Sequence, residues 1–158
     1  KNPMIKSAQV YYSLDGYIHV NIQQREPVLR VLTGEGYYVD RDGRVMPLSS
    51  KFTSRVVVAT GDINKKFACE KLGPFAMKLK NEPFWDAYIE QLVVRSNEDV
   101  VMIPKVGDFR IVLGKVDDCD ARLEKLILFL KDGITKKGWN RYKEINLKFD
   151  NQVVCVRK

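Results

Sequence analysis

The sequence has 158 residues and a formal net charge of +7, and 45% of its residues are hydrophobic and 10% aromatic. This composition excludes a disordered chain, and the length fits one domain, or one domain plus a fragment of another. No apolar run approaches the roughly 18 residues that a membrane-spanning helix needs, so we expect a soluble piece. The absence of a starting methionine is compatible with a trimmed chain.

The basic residues and the cysteines exclude two further classes of protein. Lysines and arginines are scattered without a dense basic run, so we expect no binding to nucleic acid. The cysteines, Cys69, Cys119 and Cys155, are odd in number and lack the spacing of metal ligands. We therefore expect neither a disulfide framework nor a bound metal.

Residues 8–24 predict a β-hairpin. Val10 and Tyr12 alternate with polar residues on the way in, and Ile18 and Val20 do so on the way out. Asp15-Gly16 between them is typical of a two-residue type I′ turn. The hairpin should have one apolar face and one polar face.

A meander of short strands should follow, with helices after it. The predicted strands cover residues 28–32, 37–39, 44–46 and 55–60. Residues 64–80 are typical of two short helical pieces separated by a break at Gly73-Pro74, and Pro83 should begin another helical turn.

The second half of the chain returns to strands and then contains the clearest helix. Residues 89–95, 100–103 and 109–113 predict strands, with turns at residues 97–99 and 107–108. Residues 117–131 predict a helix with an apolar stripe along one side. This stripe must be buried, and the neighbouring sheet offers a face for it. The expected fold is α+β, with a mostly antiparallel, curved sheet and helices packed on one side.

The last 17 residues predict a closing hairpin. If Asp150-Asn151 forms a two-residue loop, Leu147 faces Val154 on the core side, and Asn146 faces Cys155 outside. In this register Val153 and Cys155 point outward, and the last strand is apolar on both faces. Two interpretations are open from the pattern: a central strand that is buried on both faces, or an edge that a partner covers by strand addition.

No pattern of residues indicates catalysis. His19 is the only histidine, and no partners for a triad or a metal site can be identified. Residues 40–43 are better explained as a hairpin turn than as a calcium loop, since Lys51 stands where a bidentate glutamate is needed. The carboxylates of residues 117–120 are explained by helix capping. We expect a binding protein that is not an enzyme and has no cofactor.

Several segments in a fixed order resemble those of one protein family. They are residues 19–28 (HVNIQQREPV), residues 39–45 (VDRDGRV), Leu113-Gly114 before the helix, and residues 145–158 (INLKFDNQVVCVRK). In order and spacing they resemble the FtsQ/DivIB family of bacterial cell-division proteins. The resemblance covers nearly the full length of the chain.

The resemblance implies a protein that is anchored in the inner membrane by one transmembrane helix absent from this chain. Its POTRA domain and β domain would lie on the periplasmic side. Residues 1–26 would be the C-terminal part of the POTRA domain, a hairpin remnant, and residues 27–158 the β domain. The front of the POTRA domain is missing from this sequence.

The resemblance also implies a partner and a site. The closing strands would bind FtsB/FtsL-like division proteins by strand addition, and the POTRA part would contact other division proteins. The implied partner-binding residues are Lys148, Phe149, Asn151, Val153, Val154, Cys155, Val156 and Arg157. Lys148 and Phe149 stand where the family has Arg-Tyr, so Lys148 keeps the charge without the bidentate fork of an arginine.

Two alternatives remain beside this interpretation. A POTRA-type chaperone, or an accessory domain of outer-membrane assembly, also binds by strand addition, although no internal repeat is visible here. An unprotected edge strand can also pair with its own copy.

Overall fold

A computed structural model of the protein describes residues 2–51, 53–134, 138 and 141–158. The strands are β1 Ile5–Tyr12, β2 Ile18–Gln24, β3 Pro27–Val31, β4 Tyr37–Asp40, β5 Val45–Pro47, β6 Val57–Gly61, β7 Ile89–Arg95, β8 Asp99–Pro104, β9 Arg110–Gly114, β10 Tyr142–Asn146 and β11 Val154–Arg157. The helices are α1 Lys65–Phe67, α2 Gly73–Asn81, α3 Pro83–Tyr88 and α4 Asp120–Phe129.

β1 and β2 pair with each other, and the other strands form one sheet of nine in the order β11-β10-β9-β8-β7-β6-β3-β4-β5. The prediction of an α+β fold with a hairpin ahead of a mostly antiparallel sheet is confirmed. The sheet also contains parallel pairs that the meander interpretation did not include: β3 with β6, β6 with β7, and β9 with β10. Helices α1 to α3 connect β6 to β7, and α4 connects β9 to β10, as parallel neighbours require.

The helical segment between β6 and β7 differs from the prediction. The predicted break at Gly73-Pro74 is wrong, because a π-helical turn, Ala68–Leu72, joins α1 to α2 and Gly73 keeps helical angles. The amide of Gly73 donates to the carbonyl of Ala68, five residues back. Pro74 follows inside this continuous helical run, and its missing N–H coincides with the change from π-helical to α-helical hydrogen bonding.

The two faces of the large sheet differ. One face carries Leu92, Met102, Ile111 and Ile145, all fully buried, in one core with apolar residues of the helices. The opposite face carries a row of neighbours from β6 to β11 that is not part of this core. That row consists of Thr60, Val93, Val101, Val112, Asn146 and Val154. We call this opposite side the second face; Val101 and Val112 are buried there, whereas Val154 is exposed.

The first hairpin has a longer turn than predicted. The amide of Ser13 donates to the carbonyl of Tyr17 at 2.9 Å, which leaves a three-residue loop, and Gly16 takes a positive φ of 86°. The two-residue type I′ turn was therefore wrong, and the loop is the next commonest type of hairpin connection. The predicted apolar face is present but exposed, with Val10 63% and Val20 54% accessible to solvent.

Candidate partner-binding edge

Strand β11 ends the order of the nine-stranded sheet, so β10 is its one neighbour within the described residues. Of the two interpretations of the closing hairpin, the structure has the edge strand rather than the central one. An edge strand presents a row of unpaired backbone donors and acceptors.

The predicted register of the closing hairpin is wrong by one residue. Ile145 pairs with Cys155, and Asn146 pairs with Val154. A shift of one residue exchanges the two faces of a strand. Cys155 therefore lies on the core side with Ile145, and Val154 lies on the second face.

Side-chain exposure along β11 follows this register. Val153 and Cys155 are half-buried and pack against the core, whereas Val154 is 37% and Val156 47% exposed. Burial raises the pKa of the Cys155 thiol. The apolar surface at this edge is thus made by Val154 and Val156, not by Val153 and Cys155 as predicted.

The hydrogen bonds of β11 show which of its backbone amides face β10 and which face away. The amide of Lys158 donates to the carbonyl of Arg141 at 3.2 Å, around the pair of Tyr142 and Arg157. In an antiparallel pair, successive residues direct their amides to opposite sides. The amide of Arg157, and by the same alternation that of Cys155, therefore points away from β10.

The turn between β10 and β11 is held by a lysine of α4. The ammonium of Lys125 donates to the carbonyls of Leu147 at 3.2 Å and Phe149 at 2.6 Å. Asn151 has a positive φ of 57°, which asparagine tolerates better than most residues. Phe149 leaves 47% of its surface exposed beside this anchored backbone.

Lys148 is already paired within the chain. Its ammonium lies 3.2 Å from the carboxylate of Asp99, at the start of β8, and its amide donates to the side chain of Asn146 at 3.0 Å. The Lys148 side chain remains 46% exposed. Asp99 and Lys125 are site residues that sequence reasoning missed, because contacts across this separation leave no local pattern.

Gly114 brings the end of β9 close to this turn. It has a positive φ of 87°, and a Cβ atom there would lie 3.0 Å from the Lys148 side chain and 3.1 Å from the Arg122 guanidinium. Arg122 donates to the carbonyl of Leu113 at 2.6 Å and to that of Asp117 at 2.7 Å. The Leu113-Gly114 dipeptide thus packs the start of α4 against the closing hairpin.

The acidic start of α4 forms ion pairs rather than caps. Cys119 is the cap residue and makes no side-chain capping bond. Asp117 pairs with Lys71 at 2.7 Å, and Asp120 pairs with Lys78, so these carboxylates tie α4 to the helical segment before β7. The capping explanation for residues 117–120 was wrong.

The remaining candidate residues lie outside this edge. His19 stacks on Tyr11 with ring centroids 5.1 Å apart on the exposed first hairpin. Residues 40–43 form the hairpin turn between β4 and β5, as expected. No group of residues suited to a metal ion occurs in the part of the chain that the structure describes.

Comparison with protein-family models gives a match to the model described as FtsQ/DivIB, C-terminal related, over residues 26–156. The chain belongs to this family. The match confirms the family to which the sequence motifs pointed. A search of curated proteins found no match.

FtsQ/DivIB proteins are membrane-anchored division proteins without enzymatic activity, so membership assigns this chain a role in cell division together with other division proteins. Among the described residues, every helix is too short or too polar to cross a membrane.

Proposed function

We propose that this chain is a non-enzymatic assembly protein of the division machinery, and that it binds FtsB/FtsL-like partners by adding a strand of the partner to β11. The observation that carries the proposal is the edge itself: β11 ends the sheet and turns the amides of Cys155 and Arg157 outward. Backbone pairing would set the register, and the exposed Val154 and Val156 would meet apolar side chains of the partner.

Lys148 and Phe149 would contribute contacts beyond the strand. Phe149 is exposed next to a backbone that Lys125 holds in place. Lys148 is engaged with Asp99, so an acidic partner residue would share that ammonium rather than meet an unpaired one. Asn151 would act through the shape of the turn.

For the domain organisation, we propose that residues 1–26 are the C-terminal part of a POTRA domain and residues 27–158 the β domain. The separate two-stranded sheet of β1 and β2 supports this division. The whole protein would be held in the inner membrane by a single helix that is not part of this sequence, with these domains in the periplasm. The POTRA part would contact other division proteins.

The proposal is tested by two variants at one position. Arg157→Pro removes an outward amide, and Arg157→Ala keeps it while removing the same charge. Both variants keep the amide of Lys158, which bonds β10 in the unchanged protein. Measured by calorimetry with a peptide from the membrane-distal end of an FtsB-like protein, Arg157→Pro should bind about tenfold more weakly than Arg157→Ala. Equal affinities in two folded variants would contradict strand addition.

The same edge can pair with a second copy of this chain. Sedimentation of the unbound protein measures such pairing, and the Arg157→Pro variant should then be the more monomeric of the two.

A further inference from the structure

Basic side chains gather at the end of the closing hairpin that lies away from the Asp150-Asn151 turn. They are Arg110, Arg141, Lys143, Arg157 and Lys158, and all are exposed. The ladder brings them together, since Arg110 is paired with Glu144, Arg157 is paired with Tyr142, and Lys158 bonds Arg141. We call these five residues the basic cluster.

The basic cluster is poorly neutralised. Lys158 pairs with Asp108 at 2.8 Å, and the carboxylate of Glu144, a residue of β10, lies 3.9 Å from Arg95 of β7. Within the described part of the chain, the other members of the cluster form no salt bridge. Such an excess of one charge on one end of an edge attracts the opposite charge.

A concave site lies within the cluster. It has a volume of about 530 Å³ and is lined by Ile103, Gly107, Asp108, Phe109, Arg110, Lys143 and Lys158. Phe109 is buried and Ile103 half-buried, so the site combines apolar surface with three cationic groups and one carboxylate. Since Asp108 pairs with Lys158, Arg110 and Lys143 are the two cations of the site without a salt bridge in the described part of the chain. A carboxylate side chain on a short aliphatic stem fits this combination.

We propose that this site binds an acidic segment of the protein partner, a segment that continues from the strand added to β11. This inference rests on the proposed function. It adds that the partner carries negative charge in the segment next to the strand that pairs with β11. Lys158, which lines the concave site, directly follows Arg157, whose amide points outward, so a partner chain that continues past this end of the added strand would start beside the site. A concave site can accommodate inserted side chains, whereas the flat surface of an anionic membrane would not fill it.

The test uses hexaglutamate as the probe, with hexaglutamine as its uncharged counterpart. Backbone NMR shifts of the protein should move at Arg110, Lys143 and Lys158 with hexaglutamate and not with hexaglutamine. In the double variant Arg110→Glu/Lys143→Glu, the affinity for hexaglutamate should fall by about tenfold or more. The control is Lys65→Glu/Lys66→Glu, which changes the net charge equally at exposed residues of α1, and it should change the affinity by less than about twofold.

Three outcomes would overturn the proposal: shifts that avoid the basic cluster, no shifts with hexaglutamate, or equal losses of affinity in the two double variants. Vesicles of phosphatidylcholine and phosphatidylglycerol form a further arm. The proposal is wrong, and the cluster faces a membrane, if two results are obtained together. The vesicles bind the unchanged protein but not the Arg110→Glu/Lys143→Glu variant, and hexaglutamate causes no shifts at the site. Failure of strand addition itself would appear separately, as equal binding of the FtsB-like peptide by Arg157→Pro and Arg157→Ala.

Discussion

Arg25 and Asp40 connect the first hairpin to the nine-stranded sheet through a salt bridge that is almost fully withdrawn from water. The Nη1 atom of Arg25 lies 2.7 Å from Oδ2 of Asp40, and the two side chains are 11% and 2% exposed. The other oxygen of Asp40 accepts hydrogen bonds from the amides of Asp42 at 2.9 Å and Arg44 at 2.7 Å. One carboxylate thus holds both the turn between β4 and β5 and the junction with β2.

Removing this carboxylate should destabilise the protein strongly. Asp40→Ala leaves the Arg25 charge buried without its main partner and two turn amides without their acceptor, so we expect a loss of about 3 kcal/mol in the free energy of unfolding. The control is Asp42→Ala. The Asp42 side chain is 39% exposed, so its removal should cost much less stability than the loss of Asp40. Urea denaturation measures both, and similar losses would contradict the structural role of Asp40.

Gly61 should not tolerate a side chain. It has a φ of +104°, and a Cβ atom there would lie 2.1 Å from the carbonyl oxygen of Val94 in the neighbouring strand. Gly34 also has a positive φ, +63°, but nothing lies within 4 Å of the place of its Cβ. Thermal unfolding should show a cost of more than about 2 kcal/mol for Gly61→Ala and about 1 kcal/mol for Gly34→Ala. A greater loss of stability in Gly34→Ala than in Gly61→Ala would contradict the close approach of Gly61 to Val94.

The register of the closing hairpin can be tested by a disulfide. Ile145 pairs with Cys155, so Ile145→Cys should cross-link to the native thiol under mild oxidation. Asn146→Cys pairs with Val154 on the other face and should not cross-link to Cys155. Mass spectrometry of tryptic peptides distinguishes the two. A two-residue loop at Asp150-Asn151 would reverse the result, since Asn146 would then face Cys155.

Ionisation of Tyr88 should lower the stability of the protein at alkaline pH. Burial raises its pKa to about 12, whereas a tyrosine in an unfolded chain ionises near pH 10. The stabilising effect is complete below about pH 10, and it is lost as the pH rises toward about 12, because unfolding then releases a proton. In urea unfolding over this range, Tyr88→Phe should lose stability less steeply than the unchanged protein. Parallel curves would show that the Tyr88 hydroxyl does not titrate as described.

Local patterns were sufficient for most of the fold. Alternation along residues 89–113 predicted the strands β7 to β9, and the apolar stripe after residue 117 predicted α4 and its buried side. Two of the three parallel pairs could have been predicted as well, because strand, helix and strand follow each other both from β6 to β7 and from β9 to β10. The third pair, β3 with β6, is connected through β4 and β5 and has no such signal. The meander interpretation gave too little importance to those helices.

The closing hairpin shows what the local sequence could not supply. Asp150-Asn151 has the residues of a tight turn, but the amide of Leu147 bonds Val112 of β9 at 2.9 Å, and Lys125 holds the carbonyls of Leu147 and Phe149. These contacts with β9 and α4 draw residues out of the β10–β11 ladder and lengthen the loop. Tertiary contacts therefore fixed the register, and with it the side chains that the edge exposes.

Strand addition at β11 can be observed residue by residue in an NMR titration of the protein with a peptide from the membrane-distal end of an FtsB-like protein. Amide shifts should be concentrated in residues 148–157, with slowed hydrogen exchange at the outward amides of Cys155 and Arg157. An absence of shifts in residues 148–157 at millimolar peptide would contradict strand addition.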